Sequence, residues 1–233
     1  MTQGNRLDDL SWPAPQPPSA ELSRSIVEEC QTRLKQNRPA SVRTRVLVSI
    51  ALSGVLFGTL LVIGWRRHPP HTAIGIALLG ALLWGVIQAS VLIVGFGRPP
   101  GRRGSRLLRW GVVAIVPAVF FAHLTSAATT LLSIDQFFAV PRSLRSTVVC
   151  GVHSLLFGAL ASVALFALWR RSDPFSPRLT GAVTGLAGGL VGAIALDMTC
   201  PSLEALHLWL GHGLTLVALV VAGWFAGRRW LSP

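Results

Sequence analysis

VLVSIALSGVLFGTLLVIGW, residues 46–65, runs for twenty positions without a charged side chain. At 1.5 Å per residue this is about 30 Å of helix, the thickness of a bilayer's hydrocarbon core. Five further stretches of comparable length and apolar character follow at residues 73–95, 107–132, 144–169, 179–198 and 206–226. Hydrocarbon admits only backbones that satisfy their own hydrogen bonds, in helices or closed barrels. The fold class expected is therefore all-α: a polytopic membrane protein with a six-transmembrane-helix bundle over residues 46–227. A short cytoplasmic N-terminal segment, residues 1–45, precedes it, and a basic cytoplasmic tail, residues 228–233, closes it.

Composition agrees, with 51% hydrophobic and 13% charged residues among 233. The net charge of +12 would suit nucleic acid, but the basic residues flank the spans. Assigning alternate loops to opposite sides leaves Arg66, Arg67, Arg142 and Arg145 on one face and every other Lys and Arg with the N-terminus. The positive-inside bias then places both termini in the cytoplasm. The charge is topology, and no direct nucleic-acid binding is expected. Trp65, Trp110, Trp169, Trp209, Trp224 and Trp230 lie near span ends, where amphipathic rings meet the headgroups. The polar, proline-bearing start lacks the pattern of a cleavable signal, so the first span is expected to direct insertion.

Within the N-terminal segment, SWPAPQPP (residues 11–18) cannot continue a helix. Ser19 then precedes an expected helix over Ala20–Gln36, in which Leu22, Ile26, Cys30 and Leu34 recur every four residues. One amphipathic helix cannot bury a core alone. Its apolar stripe calls for a partner protein, the headgroup surface or the loops beneath the bundle. Glu21, Glu28 and Glu29 favour a protein, whereas the basic end favours lipid. Cys30 fits an apolar filler in a reducing cytosol.

All six His, with Cys150 and Cys200, fall in the outer half of the bundle or its outer loops: His68, His71, His123, His153, His207 and His212. Ionisable groups within spans are costly and face the interior, so this enrichment is a candidate site. Cys150 and His153 are three apart and share a helix face. With Cys200 and either His207 or His212 they would form a thiolate and imidazole set suited to zinc or copper. His207 and His212 point about 140° apart on a regular helix, so one of them at most is expected to join. A Cys150–Cys200 disulfide and a pair of small apolar fillers are the alternatives. A cofactor is thus either a transition metal at this cluster or none.

In span five, Gly181, Gly185 and Gly189 form a stripe beside the offset Gly188 and Gly192. Small residues in register let helices approach closely, so the stripe reads as a packing face. Asp197 is expected either near water or paired with an Arg or His.

Catalysis finds little support. GVHSLLFG in span four lacks the setting of a serine nucleophile, no phosphate loop surrounds the single Lys35, and no paired catalytic carboxylates appear. A transporter would show broken helices or midplane charges.

The ordered features Cys150, WRRSDPFSPR (169–178), GAVTGLAGGLVGA (181–193), Cys200-Pro201, LHLWLGHG (206–213) and GRRW (227–230) carry a family resemblance. From residue 142 to residue 230 the chain resembles the C-terminal half of the six-helix inner-membrane anti-sigma proteins of the NrsF type. The resemblance implies a membrane-bound negative regulator that holds an extracytoplasmic-function sigma factor until a stress signal arrives. It also implies Cys150 and Cys200 as the sensing pair, beside which His153 and His207 stand as candidates. The cytoplasmic front is longer than expected for the shortest members, so a sigma contact through Leu22, Ile26, Cys30 and Leu34 is an expectation from the helix itself. The rival readings are a metal- or haem-binding membrane protein, or a small transporter subunit, without a sigma partner.

Overall fold

The computed structural model describes residues 19–36, 41–67, 74–98, 105–129, 144–173, 175–200, 202 and 204–232. SWPAPQPP, His68, His71, Arg142 and Pro201 lie outside the described residues, as do the side chains of Leu34, Trp65, Arg66 and Arg67. The described residues form helices α1 (Ala20–Gln36), α2 (Val42–Arg67), α3 (Ile74–Phe96), α4 (Arg106–Thr129), α5 (Leu144–Leu168), α6 (Pro177–Asp197) and α7 (Ala205–Trp230), with no strand among them. The chain divides into two units, Met1–Ala40 and Ser41–Pro233.

In the first unit, α1 begins where Ser19 Oγ accepts a hydrogen bond from the Leu22 N–H at 3.2 Å, a serine N-cap. Leu22, Ile26 and Cys30 are exposed along it.

The second unit is the bundle. Serines start two of its helices in the same way: Ser41 Oγ accepts from the Thr44 N–H at 3.1 Å and Ser105 Oγ from the Leu108 N–H at 3.1 Å. Six helices, α2 to α7, are long and apolar enough to cross a membrane. They differ in burial. In α6, 94% of the span is buried, against 50% in α7 and 22–28% in the other four. Helix α6 is therefore the hub, and Leu47, Leu79, Leu82, Val86 and Leu160 turn outward from its neighbours as a lipid-facing surface would.

Glycines make the hub. A Cβ at Gly181 would overlap the Gly223 carbonyl and the Gly227 backbone, one at Gly185 the Leu219 carbonyl, and one at Gly189 the Leu216 side chain, all on α7. Gly188 and Gly192 lie instead against Ser162 and the Ser154 carbonyl of α5. Two stripes a few residues out of phase thus seat α6 between α5 and α7 at backbone contact distance. Polar groups lock the hub further. Gln88 Nε2 donates to the Ala187 carbonyl at 3.1 Å, and Ser154 and Thr215 hydroxyls meet at 2.9 Å.

The turn between α5 and α6 is held just as closely. Trp169 Nε1 donates to Ser49 Oγ at 2.9 Å while its ring stacks on Phe96 at 4.4 Å. Arg171 adopts a left-handed φ of 55°, unusual for a residue with a side chain. The N–H groups of Arg171 and Asp173 donate to the carbonyls of Trp230 and Leu231, each at 3.0 Å, tying the turn to the end of α7.

Candidate functional site

Four side chains converge at the other end of the hub, where α6 stops and α7 begins. Cys150 comes from the second turn of α5, Cys200 from just beyond α6, His207 from the first turn of α7 and His212 from its second. Their ligand atoms all lie within 4.8 Å of one another. Both cysteines are free thiols, with the sulfurs 3.9 Å apart. Cys200 Sγ is 3.2 Å from His207 Nε2, and His207 Nδ1 is 3.0 Å from Thr147 Oγ1, which fixes the ring from behind. Hydrogen bonding to the Cys150 sulfur, and then burial, pushes the Cys200 thiol above its ordinary range.

His212 joins because α7 does not start as a regular helix. Residues Trp209–Gly213 form a π-turn, closed by the Leu214 N–H donating to the Trp209 carbonyl five residues back. The widened turn cancels most of the 140° offset expected of a regular helix and brings the His207 and His212 rings to 5.8 Å. Gly213 gives the turn room, since a Cβ there would meet the Phe121 ring at 2.5 Å. His212 is fully buried. The Ala193 backbone approaches it, yet neither ring nitrogen closes a hydrogen bond of ordinary geometry among the described residues. A buried imidazole without partners is costly.

The structure corrects the ligand set expected from spacing. His153 is exposed and turns back to its own helix, Nδ1 lying 2.7 Å from the Val149 carbonyl. It borders the cluster without entering it. Sharing a face with Cys150 is not enough, because the bond to Val149 holds the ring along α5. His207 takes its place beside the cysteines, and His212 joins in addition to His207. His123 serves elsewhere, with Nε2 3.1 Å from Asp197 Oδ2. That pairing resolves the alternatives left open for Asp197.

The cluster suits a metal that accepts thiolate and imidazole ligands. Zinc bound to two thiolates at about 2.3 Å separates them by roughly 3.8 Å in a tetrahedron, close to the 3.9 Å found. The two imidazoles need only small adjustments, and His212 would gain the partner it lacks. The cysteines are also close enough that a modest approach would bring them to disulfide distance, about 2.05 Å between sulfurs. A largely apolar cavity of about 330 Å³, lined by Leu60, Ile63, Phe157, Leu196 and both cysteines, gives small reagents a path.

A second polar centre occupies the opposite end of α6. Buried Arg109 reaches Thr180 Oγ1 with Nη1 at 3.1 Å and lies 3.7 Å from Asp173 Oδ2. Asp173 Oδ1 accepts from the Phe175 and Ser176 N–H groups at 3.1 Å each, and Oδ2 accepts from the Thr180 hydroxyl. Sequence reasoning missed this centre because it read WRRSDPFSPR as a basic turn, whereas the turn folds around its one acid. The signal was present: Asp173 sits four residues before the proline that opens α6, within reach of the Phe175 and Ser176 N–H groups of the turn that leads into it.

Comparison with known proteins places the chain in a group. Residues 31–232 match the model of the NrsF family, described as negative regulator of sigma F. The chain is 31% identical over 206 residues to the anti-sigma-F factor NrsF of Caulobacter vibrioides (strain NA1000 / CB15N), covering 83% of this chain and 90% of that protein. No solved structure matches.

Proposed function

The chain belongs to the NrsF family of negative regulators of sigma F, and from that premise we propose that it sequesters an extracytoplasmic-function sigma factor at the bacterial inner membrane and releases it on a stress signal read at the Cys150, Cys200, His207 and His212 cluster. The family match over nearly the whole bundle carries the reading. The role is regulatory rather than enzymatic.

In this account both termini face the cytoplasm, as the distribution of arginine favours, and α1 offers Leu22, Ile26, Cys30 and Leu34 to the sigma factor. The family match begins at residue 31, so three of these four precede it. The contact therefore rests on Leu22, Ile26 and Cys30, exposed along a single helix that needs a partner to bury them.

The sensing step follows from the cluster's chemistry. Cys150, Cys200, His207 and His212 would hold a thiophilic metal ion between them, and their shared coordination would tie the start of α5, the end of α6 and the start of α7 together. A two-electron oxidant would act on the same atoms: the two thiols form one S–S bond, two protons leave, and the oxidant takes two electrons. The convergence of the two imidazoles favours the metal. Helix α6, in backbone contact with both neighbours along its length, passes a displacement toward the opposite end. A signal acts only through unequal affinity for the sigma-holding and sigma-releasing states, and a few kcal/mol is sufficient.

The test is affinity capture of the tagged full-length protein from gently solubilised native membranes, beside a form lacking residues 1–40, with and without the metal or oxidant. Sigma factor should copurify with the full chain and be lost on truncation or on treatment. Intact protein that captures no sigma factor would overturn the proposal.

A further inference from the structure

A cavity of about 560 Å³ opens at the end of the bundle opposite the cysteines, between the first turn of α4, the turn before α6, the first turn of α6 and the last turns of α7. Its lining holds Arg106, Arg109, Arg178 and Arg228 and, among the described residues, no Asp or Glu. Four guanidinium groups around one space repel one another, and an anion among them would relieve that repulsion. Asp173 lies behind the wall, where its oxygens are already engaged by the Phe175 and Ser176 N–H groups and the Ser176 and Thr180 hydroxyls. At 3.7 Å from Arg109 it offsets one charge of four.

A second observation points to a ligand. Arg109 is 6% exposed and its Nε, fully buried, has no hydrogen-bond partner among the described residues. An arginine that lines a cavity with one N–H still unpaired, beside the Nη1 engaged by Thr180 and Asp173, has donor capacity left for an oxyanion, and its planar fork matches phosphate geometry. Helix α6 starts at the same cavity with Pro177 in its first turn, and the positive end of its dipole adds to the field.

The surroundings identify the source of the anion. The cavity lies at the ends of three helices long and apolar enough to cross a membrane, where headgroups would meet them, and Trp224 in its wall packs on Trp110 with ring centroids 5.2 Å apart. Leu107 and Phe175 beside it are 82% and 74% exposed. Such apolar surface next to a cationic cavity fits an acyl chain leaving a phosphate, and basic pockets between membrane helices take anionic headgroups. We propose that this cavity binds the phosphate of an anionic phospholipid, with Arg106, Arg109, Arg178 and Arg228 as its cationic wall.

The test is native mass spectrometry of the purified full-length protein in detergent, titrated with phosphatidylglycerol or phosphatidylcholine. Arg106, Arg178 and Arg228 are exposed, so R106Q, R178Q and R228Q should fold. A form with Arg170→Gln and Arg171→Gln removes equal charge per site from the same end but outside the cavity. Phosphatidylglycerol is expected to be retained over phosphatidylcholine, about fivefold less tightly for each cavity arginine removed. The Arg170 and Arg171 form and an excess of inorganic phosphate should leave retention unchanged. Equal retention of the two lipids, or full retention by the triple cavity variant, would overturn the proposal. So would displacement of lipid by inorganic phosphate, which would mark a free-phosphate site, or competition by a polyglutamate peptide at equal charge, which would mark an acidic protein segment as the occupant.

Discussion

The Cys150 sulfur sits 3.9 Å from the Cys200 sulfur although 50 residues separate them. Nothing local imposes the distance; it follows from α5 lying on the Gly188 and Gly192 face of α6, which aligns the start of one helix with the end of the other. Cys150→Ser and Cys200→Ser should each insert normally and still repress, yet fail to release sigma factor on stimulation. A sigma-dependent reporter checks this, and full induction in both variants would contradict the sensing role.

His212 and His153 separate the observed cluster from the set that spacing alone suggests. Titrated with Co²⁺ as a spectroscopic substitute, the purified protein should show the visible bands of a tetrahedral thiolate site. His153→Ala should leave them unchanged, and Thr147→Val, which removes the group holding His207, should weaken binding about 10–100-fold. His212→Ala should weaken it more. Equal loss from His153→Ala and His212→Ala would contradict the assignment.

How much of this was legible in the sequence depends on the range of the interaction that decides it. The six spans, the Ser19-capped α1 and the glycine stripes are written in local apolar runs, side-chain size and capping residues, and each lies close to where those features placed it. His212 was hidden by a π-turn, because a regular helix turns it away from His207 and no side-chain pattern announces one backbone hydrogen bond shifted by a residue. The Arg109 centre was hidden by distance, since Arg109 is 71 residues from Thr180 and only the folded bundle joins them.

Gly181 of α6 and Gly58 of α2 sit in opposite surroundings. Gly181→Val would drive side-chain atoms into the Gly223 carbonyl and the Gly227 backbone, both rigid, and should cost about 1–3 kcal/mol or more as overpacking. Gly58→Ala meets nothing within 4 Å and should be neutral or slightly stabilising. Thermal aggregation followed by size-exclusion chromatography in detergent distinguishes them, and equal effects would contradict the central place of α6.

Asp173 holds the start of α6 and faces buried Arg109. Asp173→Ala leaves that arginine without its acid and should destabilise the bundle by about 3–5 kcal/mol, as breaking one side of a buried pair does. Arg109→Leu combined with Asp173→Leu should recover part of the loss, because no isolated charge remains. Unfolding midpoints in detergent report both, and a double variant worse than the sum of the single ones would contradict the pairing.

The central claim is that this bundle holds a sigma factor through its N-terminal helix. Capture of tagged full-length protein from native membranes, compared with Leu22→Glu/Ile26→Glu in the same background, tests it most directly. The account predicts a sigma factor in stoichiometric amount with the full chain and its loss from the double variant, with both proteins equally abundant in the membrane. Undiminished sigma factor on the double variant would place the contact elsewhere, and its absence from the intact protein would contradict sequestration itself.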